Sequence, residues 1–220
     1  MNYYESTIER RETGLVYWDN DMSSGCWTLY APQTGNGFVK LIDIAGDTVH
    51  EWNMPVRPGR DAVLLPSGNL GYNGSHEKSA NLYPAWDIWH GGHFMEVDPS
   101  GYPLWEYEDI YHHHDAQWLE NGNLLYAVAE EVFVPPLGPI ISDRIKEVNR
   151  KGEVVWEWCV WEHIHPHIYK THECFNTDHW PMVNGIHQTK DGLILLSLRT
   201  TSGIIGVCKE SKEIVWELKY

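Results

Sequence analysis

The stretch Ile145-Lys146-Glu147-Val148-Asn149-Arg150-Lys151-Gly152-Glu153-Val154-Val155-Trp156-Glu157 decides the fold. An apolar run leads into a polar turn containing Gly, and a second apolar run follows. That is the pattern of a β-hairpin. Three further copies are present. They are Leu41–Trp52, with Asp43 and Gly46 at the turn, Met95–Glu106, with Asp98, Pro99 and Gly101, and Ile205–Glu217. Trp52, Trp105, Trp156 and Trp216 anchor the four copies. They recur at the spacing of roughly 50 residues that marks repeat architectures.

A second hairpin lies between successive anchors. It reads Asp61-Ala62-Val63-Leu64-Leu65-Pro66-Ser67-Gly68-Asn69-Leu70, then Asp115-Ala116-Gln117-Trp118-Leu119-Glu120-Asn121-Gly122-Asn123-Leu124, then Gly185–Ile194 with Asp191-Gly192 at its turn. Two hairpins per repeat make a four-stranded antiparallel sheet, and this period predicts an all-β chain, a β-propeller of four-stranded blades. No segment keeps a helical period, and no helical crossover separates the strands, so helical and doubly wound architectures are excluded. The anchoring Trp residues are expected to fill the wedges between blades, because aromatic rings dominate core burial. The whole chain, residues 1–220, reads as one partial propeller domain. At about 50 residues per blade it holds four to five blades. Placing the Trp hairpin first in each unit makes the chain stop in mid-unit after Trp216. An unpaired edge of that kind calls for a second chain or self-association to close the ring.

Composition narrows the partners. The 220 residues carry 16 Lys+Arg against 31 Asp+Glu, a formal charge of −15. Such a chain makes a poor ligand for nucleic acid or for an anionic membrane surface. Its 42% hydrophobic residues suffice for a packed core, which argues against intrinsic disorder. There is no apolar run near the start and none of about 18 residues anywhere. The expected location is therefore cytoplasmic. Cys26, Cys159, Cys174 and Cys208 are dispersed without a CxxC, so reduced thiols are expected.

Thirteen histidines are the main candidates for chemistry. Ahead of the second hairpin, the repeats carry Arg57-Pro58-Gly59-Arg60-Asp61, Tyr111-His112-His113-His114-Asp115 and Trp180-Pro181-Met182-Val183-Asn184-Gly185. The register puts Arg60, His114 and Asn184 at one matched position near the propeller axis. Polar groups there suit an anion, a metal or a structural water. Strand alternation predicts that His112 and His114 share a face and could ligate a divalent metal. His163, His165 and His167 alternate in a long insertion with His172 and His179, and His90 and His93 flank a Gly pair. Arg199 follows the apolar strand Leu195-Leu196-Ser197-Leu198, where a guanidinium suits an oxyanion.

Three of these stretches resemble the bacterial arylsulfotransferase family of β-propellers. They are His113-His114-Asp115 with Asn121-Gly122-Asn123-Leu124-Leu125, then Asp191-Gly192 with Leu195-Leu196-Ser197-Leu198-Arg199, and the recurring Gly-x-x-x-Trp-Glu hairpins. The resemblance implies a six-bladed propeller, of which this chain holds about four blades. It implies transfer of a sulfuryl group from an aryl sulfate to a phenol through a histidine. The family's histidines fall on His113 and His114 and its arginine on Arg199. Taken with the register, His114 and Arg199 are the expected catalytic residues, and His113, Asp115, Asn184, Arg60 and Trp180 are expected to bind a small anionic aromatic substrate. No cofactor and no metal are implied.

Two departures stand out. The family's Trp-x-His-x-Asn segment is Trp180-Pro181-Met182-Val183-Asn184 here, which puts a thioether where an imidazole is expected. The family's nucleophilic histidine falls beyond Tyr220, so little turnover is expected of these residues alone. The alternatives are a metal-dependent propeller lyase or hydrolase, using His112 and His114 with a histidine from the long loop on a divalent metal, and a non-catalytic binding propeller.

Overall fold

The computed structural model describes residues 17, 19, 21–79 and 91–219. These form four antiparallel sheets in chain order. The first has three strands: β1 (Thr28–Tyr30), β2 (Phe38–Ile42) and β3 (Thr48–Asn53). The second contains β4 (Pro58–Leu64), β5 (Leu70–Ser75), β6 (Gly92–Val97) and β7 (Pro103–Glu108). The third contains β8 (His112–Trp118), β9 (Leu124–Val134), β10 (Gly138–Val148) and β11 (Val154–Cys159). The fourth contains β12 (Val183–Gln188), β13 (Leu193–Leu198), β14 (Gly203–Cys208) and β15 (Ile214–Lys219). Each strand pairs with the next in sequence, as β-propeller blades do.

The order within a sheet corrects the expected unit boundary. The hairpin of Asp61, Asp115 or Gly185 opens its sheet, and the Trp hairpin closes it. The last sheet therefore has all four strands, with the Trp216 hairpin as its second half.

The cores lie between successive sheets. Val39, Trp52, Leu70, Tyr72, Met95 and Val97 fill the first gap. Phe94, Leu124, Tyr126, Val128 and Val148 fill the second. The third is the largest and is built from Leu125, Ile145, Trp158, Ile194, Leu196, Leu198 and Ile205. Along β13, Ile194, Leu196 and Leu198 are buried while their neighbours are half-buried, which follows the two-residue period of a pleat.

A polar bond repeats across the gaps. Trp105 Nε1–H donates to the Arg150 carbonyl at 2.9 Å, and Trp156 Nε1–H to the Lys209 carbonyl at 2.9 Å. The residue at this register on β3 is His50, not Trp52, and its Nε2 meets the Pro99 carbonyl at 2.7 Å. A carbonyl only accepts, so His50 carries its proton on Nε2. Trp52 sits two residues further on and reaches the Asp98 carbonyl at 3.2 Å. Wedge filling therefore holds for Trp52, Trp105 and Trp156, which pack into or against the cores between sheets, and not for Trp216, which is 46% exposed. Among the described residues no helix is long and apolar enough to cross a membrane.

Candidate functional site

The first strands of the three four-stranded sheets, β4, β8 and β12, are each irregular at the same place. Between Pro58 and Ala62, β4 spends four residues where its partner spends two. From His112 to Ala116, β8 does the same, and β12 shifts by one residue between Val183 and Gly185. Bulges of this kind re-aim side chains beside binding sites. Arg60, His114 and Asn184, the residues matched by the repeat register, all fall within them. The β8 and β12 strands are cross-tied. Ile186 N–H donates to Asp115 Oδ2 at 2.7 Å, and Gln188 N–H donates to Gln117 Oε1 at 2.5 Å. This places His114 level with Asn184 and Gly185.

The bulge overturns the alternation expected for the histidines. His114 takes a left-handed φ of 58°. His113 and His114 therefore meet, Nδ1 to Nδ1, at 2.9 Å, instead of pointing to opposite faces. His112 turns into the core. Its Nδ1–H donates to the Ala127 carbonyl at 3.0 Å, and its Nε2 accepts from Asn73 Nδ2 at 3.0 Å. A metal held by His112 and His114 is thus not what the strand builds.

Behind this pair lies Asp143, on β10 and fully buried. Its Oδ1 is 3.0 Å from His113 Nε2 and 2.7 Å from His179 Nε2, and its Oδ2 accepts the Val183 N–H at 3.0 Å. Burial pushes the Asp143 carboxyl up, but the two imidazoles outweigh it and hold the group well below the usual range. Burial also holds His113 and His114 below the usual histidine value; for His114 the neighbouring His113 and Arg60 add to the effect. His113, Asp143 and His179 are also the described residues that could hold a metal ion, since one ligand atom from each lies within 4.8 Å of the others.

The carboxylates facing the axis are perturbed as well. Asp61 is open to solvent yet hemmed in by protein. That surrounding, and then the charge of Asp115, push its carboxyl up to about 6 against the pull of Arg60. Burial raises Asp115 too, opposed by the Ile186 and Ala116 N–H groups.

Arg199 lies at the far end of β12. Its backbone N–H bonds to the Met182 carbonyl at 2.9 Å, and its Nη1 lies 3.7 Å from Met182 Sδ. The guanidinium sits over the Phe175 ring at 5.5 Å. No carboxylate pairs with it among the described residues. Arg199 and Asn184 line one cleft of about 370 Å³ with Ser197, Ser202 and Lys219. The structure thus brings Arg60, His114 and Asp115 together, and Arg199 with Asn184 and Met182.

Trp180 is a correction. It is fully buried, with its indole N–H on the Tyr169 carbonyl at 2.8 Å, so it supports the site from the core and has no surface for a substrate. His113 is fully buried too and reaches the site through His114.

Sequence reasoning missed Asp143, and it placed His179 only in a long insertion. An isolated bridge from Ile141 to His179 draws that loop back onto β10. The other loop histidines stay apart from it: His163 stacks on Trp158, and His165 on His167. His93 pairs at 4.0 Å with Glu106, and His90 lies outside the described residues.

Comparison with known proteins fits this architecture. The family profile described as Arylsulfotransferase (ASST) matches residues 41–219. No curated protein matches the chain. Among solved structures, a Bacteroides caccae protein of unknown function aligns at 16% identity and a TM-score of 0.52, covering 89% of this chain and 58% of that one. BamB from Moraxella catarrhalis aligns at 16% identity and a TM-score of 0.43, covering 90% and 48%. Virginiamycin B lyase from Staphylococcus aureus aligns at 12% identity and a TM-score of 0.42, covering 96% and 73%. The chain thus spans about half the length of the first two. With the family profile matched over most of its length, the chain belongs to the arylsulfotransferase family.

Proposed function

We propose that the chain binds aryl sulfates at the axis and takes part in sulfuryl transfer to a phenol. The observation that carries this reading is the coincidence of three bulges, which collect Arg60, His114 and Asn184 and leave Arg199 beside Asn184. A sulfate ester needs fixed donors around its oxygens, and guanidinium groups present them in a planar fork. In a chain of net charge −15, two arginines at the axis are also the local attraction that an anion requires. The test is equilibrium binding of 4-nitrophenyl sulfate and release of 4-nitrophenolate with phenol as acceptor. Charge-assisted hydrogen bonds contribute about 1.5–3 kcal/mol, so Arg199→Ala and Arg60→Ala are each expected to weaken binding about 10- to 100-fold. Unchanged affinity in both variants overturns the reading.

We also propose that a second copy of the chain covers the last sheet. On β15, Trp216 takes the register of Trp105 and Trp156. Its ring is 46% exposed, and Val215 and Leu218 beside it are exposed too. The same ring position is covered by the turn of the next sheet at each of the three preceding gaps. The first sheet has a turn of this kind at Asp43–Asp47, closed by Asp43 N–H to the Asp47 carbonyl at 3.0 Å.

A further inference from the structure

Asp143 is the meeting point of three segments that are distant in the chain. His113 comes from the β8 bulge, Asp143 from β10, and His179 from the long insertion between β11 and β12. One ligand atom from each lies within 4.8 Å of the others, and all three residues are buried. Buried charges in proteins are paired or coordinate metals. Two imidazole nitrogens and a carboxylate oxygen form a donor set that zinc takes in three-ligand sites.

The surroundings hold these side chains in place. Asp143 Oδ2 accepts the Val183 N–H at 3.0 Å, which leaves Oδ1 turned to the two rings. His113 Nδ1 meets His114 Nδ1 at 2.9 Å, so Nε2 is the nitrogen turned to Asp143, and the Val128 carbonyl also bonds the His113 ring. The backbone is tied on both sides of His179. Ile141 N–H donates to the Asp178 carbonyl at 2.8 Å, and Trp180 N–H donates to the Ile141 carbonyl at 2.9 Å. Outer partners of this kind orient the ligating side chains of metal sites.

The spacing is close to what an ion needs. His179 Nε2 and His113 Nε2 lie 2.7 and 3.0 Å from Asp143 Oδ1. Ligand atoms held at about 2.1 Å around a tetrahedral ion lie roughly 3.4 Å apart. The two separations would therefore widen by roughly 0.7 and 0.4 Å, a change that small side-chain rotations supply.

We propose that His113 Nε2, Asp143 Oδ1 and His179 Nε2 bind one zinc-class divalent cation, which ties β8, β10 and the inserted loop together behind His114. Ligation needs both Nε2 atoms bare and the carboxylate ionised, so protons on those atoms leave as the ion enters. Burial of all three ligands leaves no approach for an aryl sulfate. The fourth position therefore falls to water, and the ion is a clamp and not a catalyst. The proposal goes beyond the aryl-sulfate reading and stands independently of it.

The experiment uses the full chain, stripped with a chelator, loaded with zinc and dialysed. Plasma emission counts the metal, and zinc-edge X-ray absorption reads its ligands without any variant. The expected result is about one zinc per chain, with imidazole nitrogen and oxygen ligands at about 2.0–2.2 Å and no sulfur. The insertion offers a rival site, because His165 and His167 stack at 5.0 Å and His172 Nδ1 lies 3.1 Å from Cys174 Sγ. A chain carrying His165→Ala, His167→Ala and Cys174→Ser should keep its zinc. His179→Ala should weaken zinc binding by more than about 100-fold, the upper end of what loss of an outer partner costs. Zinc should also raise the urea midpoint of the unmodified chain, because it binds the folded state. Less than about a tenth of an equivalent after loading, a sulfur ligand, or loss of zinc in the triple variant overturns the proposal. Zinc retained by a folded His179→Ala, or a urea midpoint that zinc does not raise, overturns it as well. If His179→Ala fails to fold, the ligands read in the unmodified chain and the metal count of the triple variant decide.

Discussion

Single residues carry most of the chemistry here, and two of them are unusual for their positions. Met182 holds a left-handed φ of 57°, a conformation in which histidine is several-fold enriched over most side chains. It also lies against Arg199, where the family resemblance expects an imidazole. Met182→His should therefore cost little stability and should tighten 4-nitrophenyl sulfate binding, by about tenfold for one added charge-assisted bond. Titration calorimetry measures the affinity and a urea midpoint the stability. Asp61 is the second case. Its carboxyl is raised to about 6 in the folded chain from an ordinary 3.8, so the folded state holds the proton more tightly than the unfolded state. The sign follows directly: this contribution to stability is fully present below about pH 3.8 and is lost as pH rises through about 6. Thermal unfolding from pH 4 to 7 should thus show a drop in Tm in the unmodified chain that Asp61→Asn reduces. An equal drop in both would remove Asp61 as its source.

At the scale of elements, the hairpins were legible because turn chemistry and the two-residue period are local. Each turn at Gly46, Gly101 and Gly152 takes a positive φ that suits glycine, and the strands flanking them fall where the apolar runs predict. What was not legible was the phase. Period alone does not say which hairpin opens a sheet, and that depends on long-range pairing such as β5 with β6 and β9 with β10. The first anchor was misread for a related reason. Trp52 follows a Glu where the other anchors precede one, and only the ladder from Ile42 to Thr48 shows that His50 is the matched residue. The site divides in the same way. Arg60, His114 and Asn184 came from internal register, whereas Asp143 had no motif and His179 lay in an insertion whose return path no local signal reveals. The inter-sheet bond tests this element-level reading. Trp105→Phe and Trp156→Phe keep the aromatic ring and delete the N–H, leaving the Arg150 or Lys209 carbonyl without that donor. Each should cost about 1 kcal/mol by urea denaturation, the net value of one hydrogen bond. Losses of 3 kcal/mol or more would mean that ring packing, and not the bond, had been disturbed.

At the scale of the whole molecule, the same bond supplies a rule for assembly. A matched aromatic or imidazole ring leaves one sheet and is met by the second turn residue of the next, at Pro99, Arg150 and Lys209. By that register Ile44 is the corresponding residue of the first sheet, and Trp216 is the ring that the last sheet presents. Under the proposed self-association, one surface on each end makes the contact between copies heterologous, a kind of contact that propagates until it closes. The charge of −15 on every copy opposes this contact, and salt screens that repulsion at a Debye length of about 8 Å near physiological ionic strength. Sedimentation velocity should therefore show self-association that strengthens with protein concentration and with added salt. Trp216→Glu puts a further negative charge on the presented face and should leave a monomer under all these conditions, with the folded signal of the chain intact. Association that persists in Trp216→Glu, or that weakens as salt is added, would place the contact elsewhere on the molecule.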